Sequence, residues 1–171
     1  ETSGTAMFII EEDTTIRHVN SNFEIQSGYF REDIEGKKSW TEFAHPDDVA
    51  WMRENHYLRR QDPDAAPRQY EFRFINRYGE ESNVLLAVDM ITGTCQSIAS
   101  AIDITERKRT EEALRERESF IKLTLDNLPV GVAINSVEPQ VNFTYMNENF
   151  VKFYRTTRED LAGKDFWEAV Y

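Results

Sequence analysis

The sequence is poor in the residues that build covalent or metal-held structure. Among its 171 residues there is one cysteine, Cys95, which excludes an internal disulfide and a cysteine-rich zinc site. The 3 histidines are scattered without the spacing of a zinc site, so we predict no metal. No apolar run approaches the ~20 residues of a membrane-spanning helix, and the first residues lack the features of a secretory signal. We therefore predict a soluble, cytoplasmic protein without direct membrane contact.

Positive charge is scarce relative to negative charge. The chain has 20 Lys and Arg against 31 Asp and Glu, a net charge of −11. Residues 1–103 carry most of the imbalance, with 10 basic against 19 acidic side chains. Binding to phosphate backbones or anionic membranes needs clustered Lys and Arg, so we predict no nucleic-acid partner.

Catalytic motifs are also missing. The sequence has no Gly-rich phosphate loop and no nucleophile elbow, and the helix predicted over 106–127 has no phosphoacceptor-like histidine. We therefore predict that this chain has no catalytic residues and is not itself an enzyme.

An internal repeat organises the chain. A shift of 127 residues gives nine identities without a gap. The first copies of the matched residues are Asn20, Asn22, Phe23, Arg31, Glu32, Asp33, Gly36, Lys37 and Trp40, and the second copies run from Asn147 to Trp167. The second copy ends soon after Trp167, so we expect the chain to be a piece of a longer protein.

Short segments that are apolar or alternate between apolar and polar residues predict strands at 6–10, 16–19, 70–74, 84–90 and 98–102. Asn20 is typical of a helix N-cap and Gly28 of a left-handed helix end, which predicts a helix over 22–27. A longer helix is predicted over 47–60, with acidic residues in its first turn and arginines in its last. This order predicts an α+β domain whose antiparallel sheet is covered on one face by helices.

Three segments then follow one another in an order typical of a known family. Residues 19–48 read VNSNFEIQSGYFREDIEGKKSWTEFAHPDD, and residues 103–108 read DITERK. A third segment begins LPVGVAINS at Leu128 and ends FTYMNENF at Phe150. They resemble the first half, the end and the renewed start of PAS (S-box) sensory domains. The resemblance implies a five-stranded antiparallel PAS sheet over 1–105, a connector helix over 106–128 and an incomplete second PAS unit over 129–171.

The resemblance also implies a function. PAS domains serve as sensory input or relay modules, which suggests a multi-PAS sensor histidine kinase that senses a small ligand or a redox state. The activity would then lie in an output domain of the parent chain. A ligand-free structural dimerisation spacer and a PAS input to a diguanylate cyclase stay open as alternatives.

A pocket between sheet and helices would be lined by apolar side chains with two polar groups among them. The candidates are Phe8, Trp40, Phe43, Trp51, Met52, Tyr70, Phe72, Leu86, Met90 and Ser100. The alternation also directs Phe74, Val88, Ile98 and Ile102 toward the helices. Both a filled core and an occupied pocket agree with this pattern.

The sequence leaves the cofactor unknown. Light-sensing flavin PAS domains carry a reactive cysteine where the register from Gly36 places Ser39, so a flavin adduct is not expected. Haem-binding PAS domains use a histidine on the long helix, where His56 lies. We predict that His56 is instead a surface or capping residue near the arginine-rich helix end, and that haem is not bound.

The connector is predicted to carry the signal. Residues 106–127 contain no glycine or proline, and Leu114, Ile121 and Leu128 recur every seven residues. Such a narrow stripe predicts a coiled coil between two copies, hence a homodimer, although a helix packed on its own sheet agrees with it too. At the joint, we expect Thr105 to cap the helix through its hydroxyl and Asp103 to fix the strand end.

Overall fold

The computed structural model describes residues 4–136, 143–155 and 157. The chain divides into two compact units, Glu1–Thr110 and Glu111–Tyr171. The boundaries predicted at 105 and 128 stay predictions, because this division falls inside a helix. None of the helices in the described ranges is long and apolar enough to cross a membrane.

The first unit contains five strands and four short or medium helical segments before the connector. Its strands are β1 (Ala6–Ile10), β2 (Ile16–Val19), β3 (Gln69–Ile75), β4 (Glu81–Met90) and β5 (Ser97–Asp103). Its helical segments are α1 (Ser21–Ser27), α2 (Arg31–Ile34), a 3₁₀ helix (Trp40–Phe43) and α3 (Pro46–Gln61). The connector helix α4 follows as Thr105–Asn127.

The five strands form one antiparallel sheet in the order β2-β1-β5-β4-β3. The first and last strands therefore pair at the centre, with Phe8 opposite Ala99. One face of the sheet buries its side chains against the helical segments. This arrangement confirms the predicted α+β class and the predicted five-stranded sheet.

The phase of β5 differs from the prediction. Residues opposite each other in an antiparallel pair share a face, and buried Val88 lies opposite Ala99 and buried Leu86 opposite Ala101. Ile98, Ser100 and Ile102 therefore lie on the outer face, where the two isoleucines are exposed. The prediction is wrong because the pairing register with β4 places the small side chains Ser97, Ala99 and Ala101 on the inner face.

Local capping chemistry sets the ends of α1. The Asn20 side-chain oxygen accepts from the amides of Phe23 (3.0 Å) and Met7 (2.9 Å), so it starts the helix and ties it to β1. Gly28 ends the helix with φ 73°, and a Cβ there would lie 2.9 Å from the Arg77 Cγ atom. Glycine is required at this position both for its backbone conformation and for space.

The described part of the second unit repeats this chemistry. It contains β6 (Ala133–Asn135), β7 (Phe143–Met146) and α5 (Glu148–Tyr154), with β6 and β7 antiparallel. Asn147 accepts from the amides of Phe150 (2.9 Å) and Val132 (2.8 Å), as Asn20 does in the first unit. The repeat predicted from the sequence thus extends to the hydrogen bonds of its asparagine. The repeated residues from Arg158 to Trp167 lie outside the described residues.

Candidate functional site

The inner face of the sheet and the helical segments enclose a small apolar cavity. Its volume is about 30 Å³, which holds one or two water-sized groups. The cavity is lined by Phe8, Ile10, Phe23, Trp40, Phe43, Met52, His56, Arg59, Tyr70, Phe72, Phe74, Leu86 and Val88. The first unit therefore has a nearly filled core with a small gap in it.

Seven of the ten predicted pocket residues line this cavity, and three do not. Trp51 lies outside the lining and contacts Tyr70 edge-on, with ring centroids 5.1 Å apart. Met90 lies at the end of β4 opposite Ser97 and does not reach the cavity. Ser100 lies on the outer face of β5, so the prediction that it would orient a ligand is wrong.

Phe23 lies at the centre of the aromatic packing around the cavity. Its ring centroid is 4.8 Å from that of Phe8, 5.3 Å from that of Phe43 and 6.1 Å from that of Phe74. The sequence identifies Phe23 only as one of the residues repeated in the second copy. Its place three residues after the capping Asn20, on a short helix over an apolar sheet, is the signal that identifies it as a core residue.

The prediction for His56 is wrong, because the side chain is buried and lines the cavity. Its Nε2 atom lies 3.0 Å from the Glu12 carbonyl oxygen, and its Nδ1 atom lies 3.0 Å from Arg60 Nη1. A carbonyl only accepts and a guanidinium only donates, so Nε2 carries the proton and Nδ1 accepts. Burial, with smaller effects from the charges of Arg60 and Arg59, lowers the pKa of His56 from 6.5 to about 4. His56 is therefore a neutral structural residue at neutral pH.

Arg60 ties the end of α3 to the segment after β1 and to the β4–β5 turn. Its guanidinium donates to the carbonyl oxygens of Glu11 (3.0 Å) and Cys95 (3.1 Å) as well as to His56. Burial lowers the pKa of Arg60. Arg59 and Arg60 thus act mainly by donating to specific backbone carbonyl oxygens. The pattern of charges along the helix does not predict these hydrogen bonds.

Two donors on the cavity wall have no hydrogen-bond partner among the described residues, Trp40 Nε1 and Arg59 Nε. Arg59 is 2% exposed, and its Nη2 atom donates to the Pro67 carbonyl oxygen at 2.6 Å. Burial raises the pKa of the neighbouring Tyr70, and the charge and hydrogen bond of Arg59 oppose that rise. The cavity wall is therefore apolar apart from donors on α3 and the 3₁₀ helix and the Tyr70 hydroxyl of β3, which bonds Arg59.

The serine at the position of the flavin cysteine has a structural role. The Ser39 hydroxyl accepts from the Thr41 amide at 3.2 Å, and Glu42 accepts from the Ser39 amide at 3.0 Å, a capping box for the 3₁₀ helix. Cys95 is exposed, and within the described ranges no group of His, Cys, Asp or Glu side chains is arranged to hold a metal ion. Ser39 thus starts a helix at the position where a flavin cysteine was considered.

The start of α4 is tied to two strands of the sheet. The Asp103 carboxylate accepts from the Thr105 amide at 2.8 Å, as predicted for the strand end. The Thr105 hydroxyl accepts from the Asn83 amide of β4 at 2.8 Å, so the prediction that it caps the helix is wrong. Lys108 forms an ion pair with Glu71 of β3 at 2.5 Å. Thr105 therefore joins the helix to the sheet.

Beyond this start, α4 is exposed along its length. It has no buried residue, and Leu114 and Ile121 are 56% and 48% exposed. Leu128 follows the helix end and is half-buried. The predicted stripe is thus present on one chain as an apolar row in contact with solvent.

Comparisons with known proteins agree with this fold. A family model described as "PAS fold" matches residues 16–86, and one described as "PAS domain" matches residues 129–170. A search of curated proteins gives no match. Two solved structures are similar to this chain at 20% sequence identity and a TM-score of 0.53.

The first similar structure is the PAS domain of the RpfR quorum-sensing receptor from Cronobacter turicensis in complex with C12:0. The match covers 61% of this chain and 97% of that one. The second is a sensory box histidine kinase/response regulator from Burkholderia thailandensis, for which the match covers 70% of this chain and 92% of that one. At this level of identity the two structures show the fold that the chains share.

Proposed function

We propose that this chain, which belongs to the PAS family and carries PAS units in tandem, is the sensory input of a signalling protein and passes its signal on through α4. A change in the core of the first unit alters the start of α4, and the helix carries that change toward the second unit. The output domain in the parent chain is a histidine kinase in this proposal, and a diguanylate cyclase is the alternative. The chain itself supplies no catalysis.

One observation carries the proposal. On β3, Tyr70 and Phe72 line the cavity, and Glu71 between them pairs with Lys108 of α4. Successive side chains of a strand point to opposite faces, so a backbone shift that repositions the cavity wall also moves Glu71. On β3, the residues that line the cavity are thus adjacent to the residue that pairs with the start of α4.

We also propose that α4 pairs with α4 of a second copy in parallel. A helix of 23 residues is about 35 Å long. Removing a leucine-sized side chain from water contributes about 1.5–3 kcal/mol before ordering costs, and here only about two heptads are available. A weak homodimer is expected for this chain, with the stripe of Leu114, Ile121 and Leu128 at its interface.

The small cavity favours a second candidate, a ligand-free dimerisation spacer. A gap of about 30 Å³ lies within the range of ordinary packing defects. In a spacer, a change of core packing would leave the start of α4 unaltered. The two candidates therefore differ in whether the core and the helix are coupled.

The coupling can be tested without knowing the stimulus. Phe72→Leu changes the cavity wall, and we expect it to change hydrogen exchange of the α4 amides near Lys108. In a Thr105→Val, Glu71→Gln background, which removes both ties, the same core change should leave those amides unaffected. Each tie contributes about 1 kcal/mol, so the fold persists without them. Thr94→Val makes the same side-chain change in the β4–β5 turn, and it is the matched control for Thr105→Val.

The spacer predicts a different result. If Phe72→Leu leaves α4 exchange unchanged when both ties are intact, the relay is wrong. Equal responses in the wild-type and tie-free backgrounds would show that the signal does not pass through Thr105 and Glu71.

A further inference from the structure

The last turn of α4 is held by side chains of β7 and of the residue that follows β7. The Asn147 side-chain amide donates to the Leu125 carbonyl oxygen at 2.8 Å, and the Tyr145 hydroxyl donates to the Asp126 carboxylate at 3.0 Å. The last carbonyls of a helix have no partner within the helix. The Leu128 amide lies 3.3 Å from the Leu125 oxygen, so Asn147 is the nearer donor. The second unit therefore supplies the cap at the end of α4.

Asn147 forms four hydrogen bonds with one planar group. Its Oδ1 atom accepts from the amides of Phe150 (2.9 Å) and Val132 (2.8 Å). Its Nδ2 atom donates to the carbonyl oxygens of Leu125 and Val130, both at 2.8 Å. The side chain is completely buried, and these bonds use both donors and both acceptor positions of the carboxamide. Because the group is rigid, a movement of the helix end that turns Nδ2 also turns Oδ1.

The corresponding residue of the first unit shows what is specific to Asn147. The Asn20 Oδ1 atom also accepts from two amides, those of Phe23 and Met7. Its Nδ2 atom donates to the Thr5 carbonyl oxygen at 3.0 Å, two residues before the second of these amides, as in the second unit. Within the described ranges Asn20 bonds no helix end, and it is only partly buried. The bond to the end of a helix is thus what the second copy adds.

We infer that Asn147 is the positioning residue through which the second unit senses the end of α4. The amide side of Asn147 binds the last turn of α4. The oxygen side starts α5 and fixes the residue before β6. A change in the pose of the last turn therefore reaches both elements through one side chain. This inference rests on the proposed relay through α4 and names the residue at which the second unit receives the relayed change.

The test loosens the end of α4 and follows hydrogen exchange of the Val132 and Phe150 amides in the purified chain. Lys122→Gly and Lys122→Ala remove the same exposed side chain, and glycine destabilises a helix relative to alanine. Both amides donate to Asn147, whose orientation depends on the helix end. We therefore expect them to exchange about two- to fivefold faster in Lys122→Gly than in Lys122→Ala.

Substitutions of Asn147 separate its two sides. Asn147→Asp removes the amide donors and keeps an oxygen that caps α5, and Asn147→Ser does the same without adding a charge. In both backgrounds the difference between glycine and alanine at position 122 should disappear at the Phe150 amide. Asn20→Asp is the matched control, because the amide it removes bonds only the Thr5 carbonyl. It should leave the difference as it is in the wild type.

Two results would overturn the inference. The first is a glycine–alanine difference that persists in both Asn147 variants, and the second is no difference when Asn147 is intact. A purely structural role of Asn147 predicts faster exchange in its variants with the difference unchanged.

The relay and the receiving role of Asn147 can fail separately, because Phe72→Leu tests only the start of α4. If Phe72→Leu leaves α4 unchanged while the difference at Phe150 depends on Asn147, the relay from the core is wrong and the receiving role stands. If Phe72→Leu alters α4 and the difference does not depend on Asn147, the receiving role alone is rejected.

Discussion

Replacement of Phe23 by alanine is expected to lower the free energy of unfolding of the first unit by about 3–5 kcal/mol. The side chain is 1% exposed and contacts three other aromatic rings. Alanine removes the ring and leaves a cavity beside the existing one, in a core whose sheet and helices hold their positions. Domains of this size are stabilised by about 5–15 kcal/mol, so the variant should be only marginally folded.

Urea unfolding followed by tryptophan fluorescence measures this loss. Phe30→Ala is the matched control, because Phe30 is 69% exposed and its removal should change stability by less than about 0.5 kcal/mol. A loss below about 1 kcal/mol in Phe23→Ala would contradict the packing described around α1.

Lowering the pH from about 7 to about 5 is expected to cost the first unit about 2 kcal/mol through His56 alone. The pKa of His56 is about 4 in the folded chain and 6.5 when unperturbed, so the unfolded chain binds the proton first. Stability is therefore complete above the unfolded pKa and falls as the pH decreases from 6.5 toward 4, by about 1.4 kcal/mol per pH unit. Below the folded pKa the loss from this group levels off.

His56→Gln, which is neutral at every pH, should remove most of this dependence. Urea unfolding at several pH values measures the slope for both proteins, and His18→Gln serves as the exposed-histidine control. Equal slopes in the wild type and His56→Gln would show that the pKa of His56 is not lowered in the folded chain. That result would contradict the buried position of His56 beside Arg60.

Much of the fold follows from local chemistry in the sequence. Short apolar or alternating segments locate all five strands of the first unit, and Asn20 and Gly28 locate the ends of α1 within a residue. These features are predictable because they depend on residues near one another in the chain. The pairing of β1 with β5 joins residues far apart in the chain, such as Phe8 and Ala99, so no local pattern predicts it.

The errors come from long-range effects. Ile98, Ser100 and Ile102 alternate with alanines along β5, and size alone suggests burying the two isoleucines. In the structure, the side chains of β5 that are buried beside the aromatic residues of the core are instead Ala99 and Ala101. Register with β4 decides this phase, and register is not written in β5 itself.

The roles of His56 and Thr105 show the same limit. His56 is set by the Glu12 carbonyl, which is 44 residues away in sequence. Thr105 accepts from Asn83, which is 22 residues away, rather than from its own helix. The sequence indicates that the Thr105 hydroxyl bonds a backbone group, but which group it bonds depends on the folded sheet.

Sedimentation equilibrium of this chain tests most directly the claim that the signal leaves the first unit along a paired α4. Leu114→Glu, Ile121→Glu places two charges on the stripe, while Ser119→Glu, Leu123→Glu places two on the other side of the same helix. We predict that the wild type and the second variant self-associate with rising concentration, and that the first variant stays monomeric. If all three are monomers over the whole concentration range, with α4 equally protected from exchange, the account of a paired relay helix is contradicted.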